Sequence, residues 1–525
     1  MTESPDIIFV VLDTQRADRL GCYGHETAVT PNLDNFAAHS TLFEQAISPA
    51  QWTIPSHASM FTGLYPTTHQ VTQASQSLPL SMPHIAELLQ GAGYQTIGFC
   101  NNPLVGILNN GFKRGFNTFY NYGGAIPSVP RSSAKVPFPL KRLSELYTQF
   151  LRRISYPIQN FFGQSDLAFR ISLNAWLTPL WSRFANFKGQ NARSVEDVSR
   201  FLAEREGGRE KRPLFLFLNL METHLPFLPP GEFVDKVAPY FRANREARNI
   251  LRQWNREAYR WAAPLAEPLG ELEDRVLSDI YDAEVAYQDD YLGRLFGVLA
   301  ARENRDNTLT IFVADHGDGL GEHGYMGHAF VAYQELVHVP LIVNWPRRLP
   351  KAGRVTTPVS TRRVFHTMLE AAGTLPGKVA VDPVKIRQLS LVASAQGHDP
   401  ERGTAYSEVY SPLTFVKAIE KRQPELLERY RCLATRRAVV KVNEAETYKL
   451  IDVDGEVDEL FNLTADPLEL DDVLPAAAET AVQLDRELKR IGAAVEAQRA
   501  GFDAGATVEI DDALVQRLRG LGYLD

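Results

Sequence analysis

Cysteine is scarce in this sequence: Cys22, Cys100 and Cys432, far apart, are the only three in 525 residues. That spacing forms neither a disulfide framework nor a CxxC metal knuckle. Long apolar runs are missing as well, since no stretch approaches the ~20 residues that span a bilayer. The N-terminus, Met1-Thr-Glu-Ser-Pro-Asp6, is acidic and runs straight into Ile7–Leu12. It lacks the basic start, apolar core and cleavage site of a signal peptide, which places the chain as given in the cytoplasm. Positive charge is not in excess either. Fifty-five Lys and Arg against 63 Asp and Glu give a net charge of -8, which excludes a generally basic nucleic-acid binder.

What is present is an ordinary globular composition, 44% hydrophobic and 22% charged, able to bury a sizeable core. Short apolar runs rich in β-branched and aromatic residues read as buried parallel strands: Ile7–Leu12, Thr96–Cys100, Leu214–Leu220, Leu309–Ala314 and Leu341–Asn344. Helical patterns at Pro83–Gly91 and Leu277–Ala301 alternate with them. The alternation predicts an α/β fold with a doubly wound sheet flanked by helices. After a Gly/Pro-bearing link at Thr374–Lys378 the character changes. Ala438–Val442 and Tyr448–Val453 read as a hairpin, Asp454-Gly455 as a turn and Ala477–Ala500 as a helix. The division expected is a catalytic α/β domain over 1–375 and a smaller α+β subdomain over 376–525.

Open α/β sheets bind ligands beyond the carboxyl ends of their strands. The residues following four of the runs are Asp13, Asn101-Asn102, Glu222-Thr223-His224 and Asp315-His316. Each alone is as well explained as a turn or cap residue; four at one sheet edge point to a polar site. Asp315-His316 opens a Gly-rich loop that also carries His323 and His328. Mixed carboxylate and imidazole donors suit Mn, Zn or Fe better than Ca. In the segment Ser48–Pro66, Thr53 precedes Ile-Pro and a helix-like start, so its hydroxyl is either a nucleophile beside a metal or a helix cap.

Taken together, these residues resemble the sulfatase branch of the alkaline phosphatase superfamily. The matching stretches are Ile7-Ile-Phe-Val-Val-Leu-Asp13 through Gly24, Thr53-Ile-Pro-Ser-His57-Ala-Ser-Met-Phe-Thr-Gly63, Thr223-His224-Leu-Pro226 and Asp315-His-Gly-Asp-Gly-Leu-Gly-Glu-His-Gly324. Tyr448-Lys-Leu, Glu459 through Pro467 and the terminal Leu518–Tyr523 are similar to the family's C-terminal part. Stretches near 125–200 and 230–270 find no counterpart and read as insertions. The resemblance implies an alkaline-phosphatase-like mixed sheet. It makes Asp13, Asp315 and His316 ligands of a divalent ion (Mn, Zn, Mg or Ca), with Thr53 beside it as nucleophile. His224 and His328 fall where the family binds the ester oxyanion or protonates the leaving group, and Asn102 lies near a substrate-binding element. One metal is expected and a second stays open, because no Asp-x-x-x-His occurs between Leu214 and Ala301.

Three departures bear on the chemistry. Family sulfatases open the nucleophile motif with Cys or Ser, oxidised to formylglycine. Thr53 carries a methyl on its β-carbon, so oxidation would yield a ketone and not an aldehyde. His57 replaces the usual Arg of that motif, where it counts as a catalytic candidate, and Thr14 replaces the second Asp of an Asp-Asp pair. The expectation is a hydrolase or transferase of phosphoesters, a phosphodiester or lipid head group, working through phospho-Thr53. The alternatives are a sulfatase that works without formylglycine and a non-catalytic sulfatase-like module. Within 131–190, nine basic residues face two acidic ones, a net of +7. Apolar positions from Leu140 to Ile154 fall at helical spacing there, followed by Trp176, Trp181 and Phe184. Either this segment contacts an anionic membrane through 138–185, or it is a lid or oligomer contact.

Overall fold

The computed structural model describes residues 4–27, 29–123, 190–206, 208, 210–373 and 382–508. Its centre is a sheet of eight strands: β1 (Asp6–Leu12), β2 (Thr41–Phe43), β3 (Gln95–Cys100), β4 (Thr118–Asn121), β5 (Leu214–Leu220), β6 (Thr308–Val313), β7 (Leu341–Asn344) and β8 (Gly353–Val355). They lie in the order β8-β2-β7-β6-β1-β5-β3-β4. Every residue of β1, Asp-Ile-Ile-Phe-Val-Val-Leu, is buried, because both faces of the strand are covered. Side chains alternate across the pleat. Ile7, Phe9 and Val11 therefore meet the layer holding α1 (Thr53–Thr62). Ile8, Val10 and Leu12 meet α2 (Asn191–Glu206) and the 31-residue α3 (Glu271–Ala301). A continuous apolar run is the sequence that such a strand requires.

One expected strand runs the other way. The segment Leu341–Asn344 is antiparallel to β6, with Leu341 opposite Val313 and Asn344 opposite Thr310. The chain between β6 and β7 carries, as helix, only a 3-10 turn, Glu322–Gly324, and a four-residue helical turn, Gln334–Val337, with no long helix to cross a face of the sheet. It returns along the edge where it started, and a parallel partner would have needed a full crossover. The sheet is therefore mixed. The helix α2, which straddles the end of the stretch near 125–200 read as an insertion, packs in the core: Val195, Val198 and Leu202 are fully buried beneath the sheet.

Four antiparallel strands, β9 (Thr404–Val409), β10 (Arg436–Asn443), β11 (Glu446–Val453) and β12 (Glu456–Asn462), form a second sheet. Val439, Leu450 and Leu460 pack under α4 (Ala478–Arg499) against Leu484 and Leu488. Ala438, Val440, Ile451 and Phe461 face the other way and merge with the main core. The link at 374–381, the tail from 509 and the basic stretch up to 189 lie outside the described residues, and with them the membrane, lid and oligomer readings. No described helix is long and apolar enough to cross a membrane.

Candidate metal centre

Because β1, β3, β5 and β6 are mutually parallel neighbours, the residues that follow them meet at one edge. Asp13, Asp315 and His316 each present a ligand atom within 4.8 Å of the others, all fully buried. Asp13 Oδ2 accepts hydrogen bonds from Asn102 Nδ2 at 2.6 Å and Asn219 Nδ2 at 3.2 Å, whereas Oδ1 has no partner. Asp315 Oδ1 accepts from the backbone N–H of His316 and of Thr14, whereas Oδ2 has none. Two buried, orphaned carboxylate oxygens would be costly unless a cation sat between them. The third donor is ready-made: His316 Nδ1 donates to the Gly317 carbonyl at 2.8 Å, which leaves Nε2 with its lone pair towards the site. These residues fit a divalent ion.

The electrostatics agree. Burial, then the Asp315 charge, pushes the Asp13 carboxyl well above its ordinary value. Burial opposes ionisation of Asp315 too, but His316 and His57 hold its carboxyl below the usual range. Burial lowers His316 to about 4, so its imidazole stays neutral, as a ligand must.

Backbone geometry braces the carboxylates. Thr14 takes the left-handed conformation, φ 60, which a β-branched residue adopts at a cost of about 1–3 kcal/mol. It is held there by its N–H on Asp315 Oδ1, its hydroxyl on the Asp13 carbonyl and the Tyr281 hydroxyl on its own carbonyl. The Ser48 and Ser56 hydroxyls both donate to the Asp315 carbonyl. Gly317 is needed where it stands: a Cβ would lie 2.0 Å from the Glu335 carbonyl oxygen.

Thr53 occupies the first turn of α1, its Oγ1 3.2 Å from His316 Nε2. His57 follows one turn later. Its Nδ1 donates to the Thr53 carbonyl at 3.0 Å and lies 3.3 Å from Asp315 Oδ2, while Nε2 lies 3.4 Å from Asn219 Nδ2. His57 thus braces Thr53 and Asp315 from behind. The His316, His328 and His224 rings follow one another, with centroids 4.5 and 5.3 Å apart, the first pair tilted by 36° and the second edge-on at 67°. His224 Nδ1 lies 2.9 Å from the Leu225 carbonyl oxygen. His328 Nδ1 lies 2.8 Å from Asp318 Oδ1.

The eight residues to which the resemblance gave a site role come together here, whereas His323 of the same loop turns away to Glu335 and the Glu469 carbonyl. Asn102, expected to bind substrate, places one amide N–H on Asp13 and its Oδ1 on the N–H of Leu104, capping the turn Pro103–Gly106. Asn219 and Asp318 were not anticipated. Asn219 is the lone amide in an otherwise apolar strand, Leu-Phe-Leu-Phe-Leu-Asn-Leu, and an unneeded polar group in a buried strand was the available signal. Asp318 stood in the Gly-rich loop itself.

The sulfatase family model matches residues 5–374. The chain belongs to the sulfatase family. Among curated members, the uncharacterized sulfatase YidJ of Escherichia coli strain K12 is 25% identical over 379 residues, covering 70% of this chain and 68% of its own. The multifunctional alkaline phosphatase superfamily protein PehA of Trinickia caryophylli is 25% identical over 402 residues, covering 70% and 74%. Among solved structures, the phosphonate monoester hydrolase of Agrobacterium radiobacter superposes with a TM-score of 0.61 at 20% identity, over 94% of this chain and 96% of that one. This sulfatase-family chain therefore shares the alkaline-phosphatase-like mixed sheet and small C-terminal antiparallel sheet of its neighbours, and is a hydrolase acting on esters.

Proposed function

We propose that this chain cleaves an ester of phosphorus, a phosphodiester or phosphonate monoester, with Thr53 as the attacking group. The observation that carries the reading is a threonine hydroxyl lodged 3.2 Å from His316 Nε2, beside the ligand trio, in the first turn of a buried helix. A divalent ion held by Asp13, Asp315 and His316 would supply Lewis-acid polarisation and a lowered hydroxyl pKa. The remaining work belongs to side chains. Thr53 Oγ1 attacks phosphorus in line with the leaving oxygen. The imidazoles of His224 and His328 line the opposite side, placed to bind the ester oxyanion and protonate the departing alkoxide. Asn102, Asn219 and His57 keep Asp13, Asp315 and Thr53 in register. Water, or an acceptor alcohol, then displaces Thr53 Oγ1 from phosphorus, releasing the phosphate monoester or phosphonate, or the ester formed with the acceptor, and returning the threonine hydroxyl.

A second reading has its own support. The matching family model and most of the similar curated proteins carry the name sulfatase, which favours a sulfuric ester cleaved without formylglycine. Release of 4-nitrophenol from a phosphodiester, a phosphonate monoester, a phosphate monoester and a sulfate ester, on protein of measured metal content, separates the readings. Turnover of the phosphorus esters, with a Thr53 peptide carrying the substrate's phosphoryl or phosphonyl group by mass spectrometry, supports the proposal. Turnover of the sulfate ester alone overturns it, and turnover of none favours a non-catalytic module.

A further inference from the structure

Asp318 is fully buried, with one carboxylate oxygen 2.8 Å from His328 Nδ1 and the other without a hydrogen-bond partner. Its place is set by its neighbours in three dimensions. The Arg16 guanidinium, only 3% exposed, holds the Asp318 carbonyl at 3.2 Å while pairing with Asp18 and Glu322. Gly317, beside it, donates its N–H to the Leu336 carbonyl at 2.8 Å. The short ribbon that pairs Gly319 with Gly327 brings Asp318 and His328 side by side across ten residues of loop. Trp261 closes over this ribbon, its carbonyl so near Gly327 that a Cβ there would lie 2.0 Å away.

We propose that Asp318 is a positioning residue that acts through His328, fixing the rotamer and tautomer of that imidazole. With its Nδ1–H donated to Asp318, the ring keeps Nε2 as the nitrogen that can exchange a proton, and its centroid lies 4.5 Å from that of His316 and 5.3 Å from that of His224. A carboxylate orienting an imidazole in this way is a general device for keeping a proton donor or acceptor on target. The inference rests on the site assignment above but not on whether the reacting atom is phosphorus or sulfur.

A double-mutant cycle tests it, read on whichever ester the wild type hydrolyses, as a phenyl ester and as its 2,4-dinitrophenyl analogue. The variants are Asp318→Asn, which keeps the volume and one acceptor, Asp318→Ala and His328→Gln. A positioned proton donor contributes about 10²–10⁴-fold, and least where the leaving group needs no proton. Asp318→Ala is expected to lower kcat on the phenyl ester by about 100-fold and on the dinitrophenyl ester by less than about tenfold, with KM and metal content held. Asp318→Asn should recover part of the loss. In the His328→Gln background neither substitution should lower kcat further, since coupled residues are non-additive. Equal losses on both esters, or the same loss with and without His328, overturn the proposal. If Asp318→Ala does not fold, as judged by a cooperative melt, Asp318→Asn decides by the same cycle. Failure of the site assignment shows separately, as full activity in Thr53→Ala.

Discussion

Thr53 Oγ1 lies 3.2 Å from His316 Nε2, although 263 positions separate the two residues in sequence. The contact exists because α1 begins where β6 ends, against the same core. It puts the hydroxyl of the first residue of α1 beside the ligand trio. Replacing Thr53 by Ala should lower turnover by roughly 10³-fold or more while leaving bound metal, measured by inductively coupled plasma analysis, unchanged. Thr53→Ser should retain activity. A Thr53→Ala protein of near-normal turnover would remove Thr53 from the chemistry.

Asn102 acts on the ion through Asp13. Asn102→Ala removes the 2.6 Å bond to Asp13 Oδ2 and the cap on Leu104. Loss of such a supporting partner weakens metal affinity by about 10–100-fold, which titration calorimetry with manganese would read. Unchanged affinity would return Asn102 to a substrate-facing role.

The loop bearing His316 and His328 is tied to the C-terminal part through His323 Nε2, 2.9 Å from the Glu469 carbonyl oxygen, and Glu469 pairs with Lys449 of β11 at 2.8 Å with neither side chain exposed. Burial nevertheless pushes the Glu469 carboxyl upward, ahead of the stabilising Lys449 charge. The pair is therefore costly to split and of little net value. Lys449→Ala should destabilise by about 3–5 kcal/mol in urea unfolding. Replacing both partners by apolar residues of similar volume should recover most of that loss.

Stability should be greatest near neutral pH. Burial lowers His69 and His84 to about 3 from an ordinary 6.5. The unfolded chain therefore takes up protons that the native state refuses as pH falls from about 6.5 towards 3, and stability is lost in that window. His323 has the opposite sign. Burial lowers its proton affinity, but the 3.0 Å partner Glu335 more than compensates and raises it to about 9. Its contribution is complete below 6.5 and lost as pH rises through 9. Urea midpoints across pH should fall on both sides, and His323→Gln should flatten the alkaline side alone.

The central strands were legible because burial on both faces demands continuous apolar runs, which Ile7–Leu12 and Leu214–Leu220 display. The outlying strands Thr41–Phe43, Thr118–Asn121 and Gly353–Val355, the last two at the edges of the sheet, are only three or four residues long; so short a run has no period to read. The direction of β7 was likewise hidden, since an apolar tetrapeptide fits either pairing and only the path of the returning chain in space chooses.

The scarcity of cysteine, the absence of a spanning apolar run and the lack of basic excess excluded whole classes of protein, and local composition alone carried that. Residue chemistry at the strand ends pointed to a polar site there, and the motif resemblance gave Asp13, Thr53, Asp315 and His316 their expected roles within it. Only the tertiary structure decided which neighbours aim them. Asn219 projects from inside a strand, Asp318 reaches His328 across a ribbon, and His57 turns behind Thr53. Such partners are chosen by distance in space, and a one-dimensional chain does not display the distances between segments that the core brings together.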